Sequence, residues 1–317
     1  MTSQPKISIL LVNWNGLADT RECLQSLESV SSLKPSLIVV DNGSGGEDAL
    51  LLKAEYPEVH VIETGRNLGF TGGNNVGIEF ALKSSPDFIF LLNNDTLVSP
   101  DFLTCLLSAG GDLPQNSVLT PRIDYYDPAG EPWFVGSTLS LERGEAWHDN
   151  SHVPKPNESP YEIPWASGCA MLFPAALLKQ LGGFDDRYFL NWEDVDLSVR
   201  VRRAGGHLFL VPASQIVHKV GRSIGKVSTI GRYYSARNNL LFVSLHSGVH
   251  RKRAEKEVRS RWIREALRAC KQRTPGSLAI LKATLRAFSD HRAERYGEWK
   301  PHSHKPLSNV VLEKGSP

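Results

Sequence analysis

Residues 88–96 read FIFLLNNDT. Five apolar residues in a row have the length and character of a strand covered on both faces. Asn93, Asn94 and Asp95 then fall at its carboxyl end. A carboxylate beside a buried strand is costly unless something pairs with it. Either an ordinary turn follows, since Asn and Asp start turns readily, or the strand tip carries a metal or a ligand.

Working outward, the same design repeats. ISILLVNW (7–14), SLIVVDNGS (36–44) and VHVIET (59–64) read as further short, buried strands. Between them LADTRECLQSLESV (17–30), EDALLLKAEY (47–56) and the glycine-led GGNNVGIEFALKS (72–84) read as helices, the first with Cys23, Leu24, Leu27 and Val30 at helical spacing. Strands alternating with helices imply an α/β domain whose mostly parallel sheet has helices on both faces. Ligands of such sheets sit beyond the carboxyl ends of the strands. Asn13, Asp41 and Asn93 to Asp95 all lie there, which disfavours a set of unrelated turns.

The later sequence changes character twice. Residues 121–164 are rich in Pro, Gly, Tyr and Trp and show no helical period; they read as short antiparallel strands and loops, with 148–164 as a mobile segment. From Trp165 the sequence predicts a strand, a helix closed by Gly182-Gly183, a loop, a helix from about Trp192 to Ala204 closed by Gly205-Gly206, and another strand. Residues 251–273 hold ten Lys or Arg against three Glu. Val258, Trp262, Ala266 and Cys270 give this stretch a helical rhythm. TPG (274–276) breaks it, and SLAILKATLRAF (277–288) is a second amphipathic segment. The expected division is a catalytic domain over 1–247 and a basic helical extension over 248–317.

The 317 residues are 41% hydrophobic and 22% charged, with a net charge of +2, as in an ordinary folded soluble protein; nucleic acid is not an expected partner. Four scattered cysteines without a CxxC pair read as reduced thiols. The N-terminus lacks a signal-peptide pattern, and no run of about 18 apolar residues occurs. The expected location is the cytoplasm, with any membrane contact peripheral. No G-x-G-x-x-G follows the first strand and no P-loop is present, so neither a dinucleotide site nor a P-loop site is expected.

Three acidic elements remain. Asp41 can accept hydrogen bonds from a ribose or a base, or close a turn with Asn42-Gly43. Asp95 can bind a hard cation that bridges phosphates, or cap the helix that follows. Glu193-Asp194 can serve a substrate or only the helix dipole. Neighbours on a helix point about 100° apart, so one can face a substrate while the other anchors to protein.

In order along the chain, ISILLVNWNG (7–16), LIVVDNGS (37–44), GRNLGFTGGNNVGI (65–78), FLLNNDT (90–96), ASGCAMLFP (166–174), LGGFDDRYFLNWEDVDLSVRVRRAG (181–205), VHKVGRS (217–223) and RYYSARNNLLF (232–242) resemble the inverting glycosyltransferases of family 2. The similarity covers about residues 5–245 and is closest to the rhamnosyltransferase-like branch, which builds bacterial surface polysaccharides. The resemblance implies the GT-A fold, a Rossmann-like nucleotide-diphospho-sugar transferase sheet. It places Asn93, Asn94 and Asp95 at the family's D-x-D position, leaving Asp95 as the charged metal ligand, with Asn13 and Asn94 beside the donor. Asp41 matches the nucleotide-contacting aspartate. Arg66, Asn67 and the turn to Asn74 match the segment that closes over the nucleotide, whereas Gly77 reads as close helix–sheet packing. His218 matches a further metal ligand for Mg²⁺ or Mn²⁺. Asp194 takes the role of base, supported by Glu193, and Trp192 and Arg237 that of acceptor contacts, with Arg222 an alternative cation. The implied partners are a nucleoside-diphosphate-sugar, such as dTDP-rhamnose, and a glycan or polyprenyl-diphosphate-linked acceptor. Two rival readings are a sugar-nucleotide pyrophosphorylase, which lacks its glycine-rich loop here, and a non-catalytic carbohydrate-binding scaffold, against which the intact acids argue.

Overall fold

The computed structural model describes residues 4–30, 33–220 and 228–299. Its first part alternates strands and helices: β1 (Ile7–Asn13), α1 (Leu17–Glu28), β2 (Ser36–Asp41), α2 (Asp48–Glu55), β3 (His60–Glu63), α3 (Gly69–Leu82) and β4 (Phe88–Leu92). Ile9, Leu10, Leu11, Val39, Val40, Phe90 and Leu91 have no exposed surface, which is why these strands read as continuous apolar runs. All pairs in the order β3-β2-β1-β4 are parallel. The chain steps from β1 outward to β3, then returns through α3 to the other side of β1. Right-handed crossovers in opposite directions put α1 and α3 on opposite faces and open a crevice between β1 and β4. Asn13 pairs with Asp41, and Leu10 with Leu91, a register that continues to bring Asn94 level with Asn13.

α3 needs its glycines for close approach. A Cβ on Gly77 would lie 2.0 Å from Leu10 Cδ1, and one on Gly73 2.9 Å from Val12 Cγ1. α3 starts at Gly69, three residues before the expected Gly72, because the Asn42 side chain accepts from Leu68 N–H at 3.0 Å and donates to the Gly69 carbonyl at 2.9 Å.

The chain continues through β5 (Thr96–Val98), α4 (Phe102–Gly111), β6 (Ser117–Tyr125), β7 (Pro132–Phe134), β8 (Ser137–Ser140), β9 (Glu145–His148), β10 (Tyr161–Glu162), β11 (Ala170–Pro174), α5 (Ala175–Leu181), α6 (Glu193–Arg203) and β12 (His207–His218); β8 and β9 pair in a sheet of their own, and the other strands extend the main sheet. The main sheet's strand order is β10-β12-β6-β11-β4-β1-β2-β3, with β5 on β12 and β7 on β6. β11 is antiparallel to both β4 and β6, while β6 and β12 run parallel, so this half of the sheet is mixed. The nine-residue β6 lies where the sequence reads as short strands and loops. Pro121 obscures it: β12 shifts register opposite this proline, between Val211 and Gln215, the kind of irregularity a strand proline requires. The segment expected to be mobile carries β10 and a turn in which Glu158 accepts from Lys155 N–H. Gly182 and Gly183, and then Gly205, adopt positive φ after their helices, as expected.

The chain divides into two compact units. One comprises residues 1–139, 146–186 and 193–223, and the other 140–145, 187–192 and 224–317. The expected boundary near Ser247 falls instead before α7 (Thr229–His246), which groups with α8 (Arg251–Lys271) and α9 (Ser277–Arg292). The reason is packing: Tyr233, Tyr234 and Ala236 form a buried cluster with Ala283 and Ala287, and the Tyr233 hydroxyl donates to Asp290 at 2.8 Å.

Candidate active site

At the tip of β1 the Asn13 side chain is fully buried and holds the neighbouring loop together. Its Nδ2 lies 2.9 Å from Asp41 Oδ1, 3.1 Å from Ser44 Oγ and 3.0 Å from Asp48 Oδ2, and its Oδ1 accepts from Thr20 at 2.8 Å. With every polar atom engaged, Asn13 is a brace rather than the donor contact expected of it. Asp41 also accepts from the Ser44 hydroxyl at 2.6 Å and the Ser44 N–H at 3.2 Å. A carboxylate has about four lone-pair sites, so these three bonds orient Asp41 and leave capacity for one ligand donor.

The next segment is stapled to β2 by Asn42, which the sequence reading treats only as a turn residue. Besides its bonds to Leu68 and Gly69, Asn42 Nδ2 reaches Asn67 Oδ1 at 3.3 Å. Gly43, at φ +73°, lets the Arg66 backbone come within 2.3 Å of where its Cβ would be. The Arg66 side chain is exposed at this turn and Asn67 is half-buried. Asn74 corrects its expectation: it is buried and donates to the Phe70 carbonyl one turn back. Its neighbour Asn75 pins the segment after α5, bonding Phe184 N–H and carbonyl at 2.8 and 2.9 Å and Asp186 at 2.8 Å.

The opening motif meets β12. Antiparallel pairing sets Thr96 opposite His218, and Lys219 N–H donates to the Asp95 carbonyl at 2.9 Å. Asp95 Oδ1 therefore lies 3.0 Å from His218 Nε2, both residues being buried. Asn94 donates to Thr20 Oγ1 at 2.8 Å. Behind this pair, the buried Lys219 Nζ contacts Asp19 at 2.9 Å and Glu22 at 2.6 Å. Burial alone lowers a lysine pKa, but these two carboxylates outweigh it and raise that of Lys219. His218 also meets the edge of Trp133, which packs against His148. His148 Nδ1–H donates to the Trp133 carbonyl at 2.9 Å, and its side chain remains exposed.

The fit of a cation can be judged from the donors. Adjacent corners of an octahedral ion with bonds of about 2.1 Å are about 3.0 Å apart, the observed Asp95–His218 spacing. Among the described residues no cluster of three or more metal-ligating side chains exists. Asp95 and His218 are the two side chains that would hold such a cation beside a diphosphate.

Glu193 and Asp194 open α6 in different environments. Asp194 Oδ2 accepts from Gly168 N–H at 3.0 Å and Oδ1 from Val195 N–H at 2.8 Å. A Cβ on Gly168 would lie 3.3 Å from Asp194 Cβ and from the Phe70 ring, which explains the glycine. Glu193 is 6% exposed, and its Oε2 has no partner. Burial raises the pKa of both, but that of Glu193 goes well above the carboxylate range with Asp194 beside it, whereas the two N–H donors hold Asp194 down. The pair is therefore asymmetric: Asp194 has two backbone N–H donors, whereas Glu193 Oε2 has none.

A profile of glycosyl transferase family 2 matches residues 8–182, more than half of the chain. The chain belongs to glycosyl transferase family 2. The family and its rhamnosyltransferase relatives place it among glycosyltransferases of glycan synthesis. It is 29% identical over 226 residues to the N-acetylglucosaminyl-diphospho-decaprenol L-rhamnosyltransferase of Mycobacterium tuberculosis, covering 64% of this chain and 72% of the relative. It is 28% identical over 213 residues to the rhamnosyltransferase WbbL of Escherichia coli, covering 57% and 72%. The crystal structure of GalNAc-T7 with UDP, GalNAc and Mn²⁺ superimposes with a TM-score of 0.63 at 16% identity, over 92% of this chain and 55% of that one. That likeness shows the GT-A glycosyltransferase fold.

In the other unit of this glycosyltransferase, Arg237 is corrected from an acceptor contact to a structural residue. It is 1% exposed, and its guanidinium donates to the carbonyls of Gly297, Arg187 and Tyr188 and to Asn238 Oδ1. Asn238 Nδ2 adds contacts to the carbonyls of Tyr188, Leu190 and Asn191. Together they secure a segment in which Phe189, Asn191 and Trp192 all have positive φ. Trp192 is half-buried, tilted on Phe242 at 5.1 Å. Arg222 lies outside the described residues.

Proposed function

We propose that the chain transfers a sugar, with inversion, from a nucleoside-diphosphate-sugar to a hydroxyl of a polyprenyl-diphosphate-linked glycan, with dTDP-rhamnose as the donor. The observation that carries the proposal is the Glu193-Asp194 pair, in which the half-buried Asp194 carboxylate is oriented by two backbone N–H groups. Asp194 takes the proton of the acceptor hydroxyl as that oxygen bonds to the anomeric carbon. The anomeric carbon–phosphate bond breaks, and the nucleoside diphosphate leaves with the electron pair. Asp41, oriented by Asn13 and Ser44, accepts from the nucleoside, while Arg66 and Asn67 lie over it. Asn94 holds the strand tip through Thr20. Asp95 and His218 would hold Mg²⁺ or Mn²⁺, which supplies Lewis-acid stabilisation of the departing diphosphate. Trp192, next to the acidic pair in the chain, is the residue proposed to stack on the acceptor sugar.

The donor reading draws on two relatives named as rhamnosyltransferases, and the acceptor reading on the decaprenol in the first of those names. The test incubates the protein with dTDP-rhamnose, UDP-sugars or GDP-sugars, Mn²⁺ or EDTA, and a lipid-diphosphate-linked N-acetylglucosamine. Transfer from dTDP-rhamnose with inverted anomeric configuration is expected. Retention of configuration, or no nucleoside diphosphate release from any donor, would overturn the proposal.

A further inference from the structure

We infer that the outer seam of the α8–α9 hairpin is a docking surface for an anionic lipid bilayer. No helix among the described residues is long and apolar enough to cross a membrane, so such a contact would lie in the interface plane. The two helices run antiparallel in register. Cys270 Sγ lies 3.5 Å from the Ser277 carbonyl and the Arg259 guanidinium 5.2 Å from the Phe288 ring, contacts equally spaced along both helices. Leu267, three residues before Cys270, is therefore level with the turn between Leu278 and Lys282.

Leu267, Leu278 and Leu285 are 52%, 68% and 51% exposed. Leu278, Lys282 and Leu285 follow i, i+4, i+7 spacing and share one face of α9, while Arg264, Leu267 and Lys271 follow i, i+3, i+7 spacing on α8. Single exposed leucines need no explanation, but three grouped on adjacent helices do. Their charged neighbours distinguish the occupant. Three cations of α8 are committed, Arg251 to Glu255, Arg253 to Glu257 and Arg261 to Glu145. Among the described residues no ion pair engages Arg264, Lys271 or Lys282, and all three are exposed. Leucines flanked by uncommitted cations match a surface where acyl chains lie beneath anionic headgroups. A polyanion such as RNA would use the cations and leave the leucines in water.

The surface deepens the proposed lipid-linked acceptor, but its test uses no sugar. The full chain is sedimented with vesicles of phosphatidylcholine alone or mixed equally with phosphatidylglycerol. Binding is expected only to the anionic vesicles, falling as salt shortens the screening length. Lys271→Gln with Lys282→Gln should lower the partition coefficient about fivefold per cation removed. Leu267→Ser with Leu285→Ser should lower it further at unchanged salt dependence; both pairs are exposed, and unchanged melting confirms the fold. Equal binding to neutral vesicles, no response to either variant, or a concentration-dependent dimer abolished by the leucine variant would overturn the inference. The last result would assign the seam to a second copy. Loss of vesicle binding with donor turnover intact would separate this surface from the catalytic reading.

Discussion

Replacing Asp194 with Asn keeps the size of the side chain and removes only its charge. The carboxylate now accepts from Gly168 N–H at 3.0 Å and Val195 N–H at 2.8 Å. An amide has one oxygen to offer, so one of these donors loses its acceptor and faces an NH₂ group. That loss costs about 1–2 kcal/mol, partly offset because burial disfavours the native charge. Asp194→Asn is therefore expected to fold, melting a few degrees below wild type. Transfer should fall about 10²–10⁴-fold, since no base takes the acceptor proton, a barrier increase of about 2.7–5.4 kcal/mol. Donor affinity should not change. The pH behaviour follows from the raised pKa of Asp194, caused first by its burial. The protonated form is favoured in the folded state, so wild type loses stability as pH rises from the ordinary carboxylate value through the raised one. Asn is spared that loss, and the stability gap should narrow over this window. Wild-type transfer should decline on acidification through the same raised pKa. Calorimetry across pH, nucleotide binding and single-turnover transfer measure these quantities. Transfer within a few-fold of wild type in a folded, donor-binding variant would refute Asp194 as the base.

Asp95→Ala should weaken nucleoside-diphosphate binding in Mn²⁺ but not in EDTA; calorimetric titration in both buffers decides, and equal loss in the two would remove the metal from Asp95. Gly168→Ala forces contacts of 3.3 Å on Asp194 and Phe70 to give by a few tenths of an ångström, so kcat should fall about tenfold with KM unchanged. Lys219→Met removes a cation shared by Asp19 and Glu22. Breaking a buried pair costs about 3–5 kcal/mol, reduced to about 2–3 here because Glu22 can return to water. Chemical denaturation should show that loss, and adding Asp19→Asn should restore part of it.

The alternation of strands and helices, the carboxyl-end placement of Asp41 and Asp95, the close packing at Gly77 and the glycine stops after α5 and α6 are all legible in the linear chain. These follow from local rules: apolar runs set the strands, helical spacing sets the helices, and positive φ selects glycine. Long-range partners decided the rest. β6 was hidden by Pro121, because only the register shift of β12 makes room for it. Asp95 and His218, far apart in sequence, meet through the antiparallel pairing of β5 with β12. Asn13, Asn74 and Arg237 carry the residue types of ligand contacts, yet buried partners use their polar atoms. His148, Asn75 and Lys219 gave no signal, since their roles depend on Trp133, Phe184 and Asp19, each distant along the chain. The division between Asp194 and Glu193 is the clearest case. Adjacent carboxylates on one helix are equivalent in sequence, and the Gly168 N–H from another element is what orients Asp194 while Glu193 Oε2 stays without a partner.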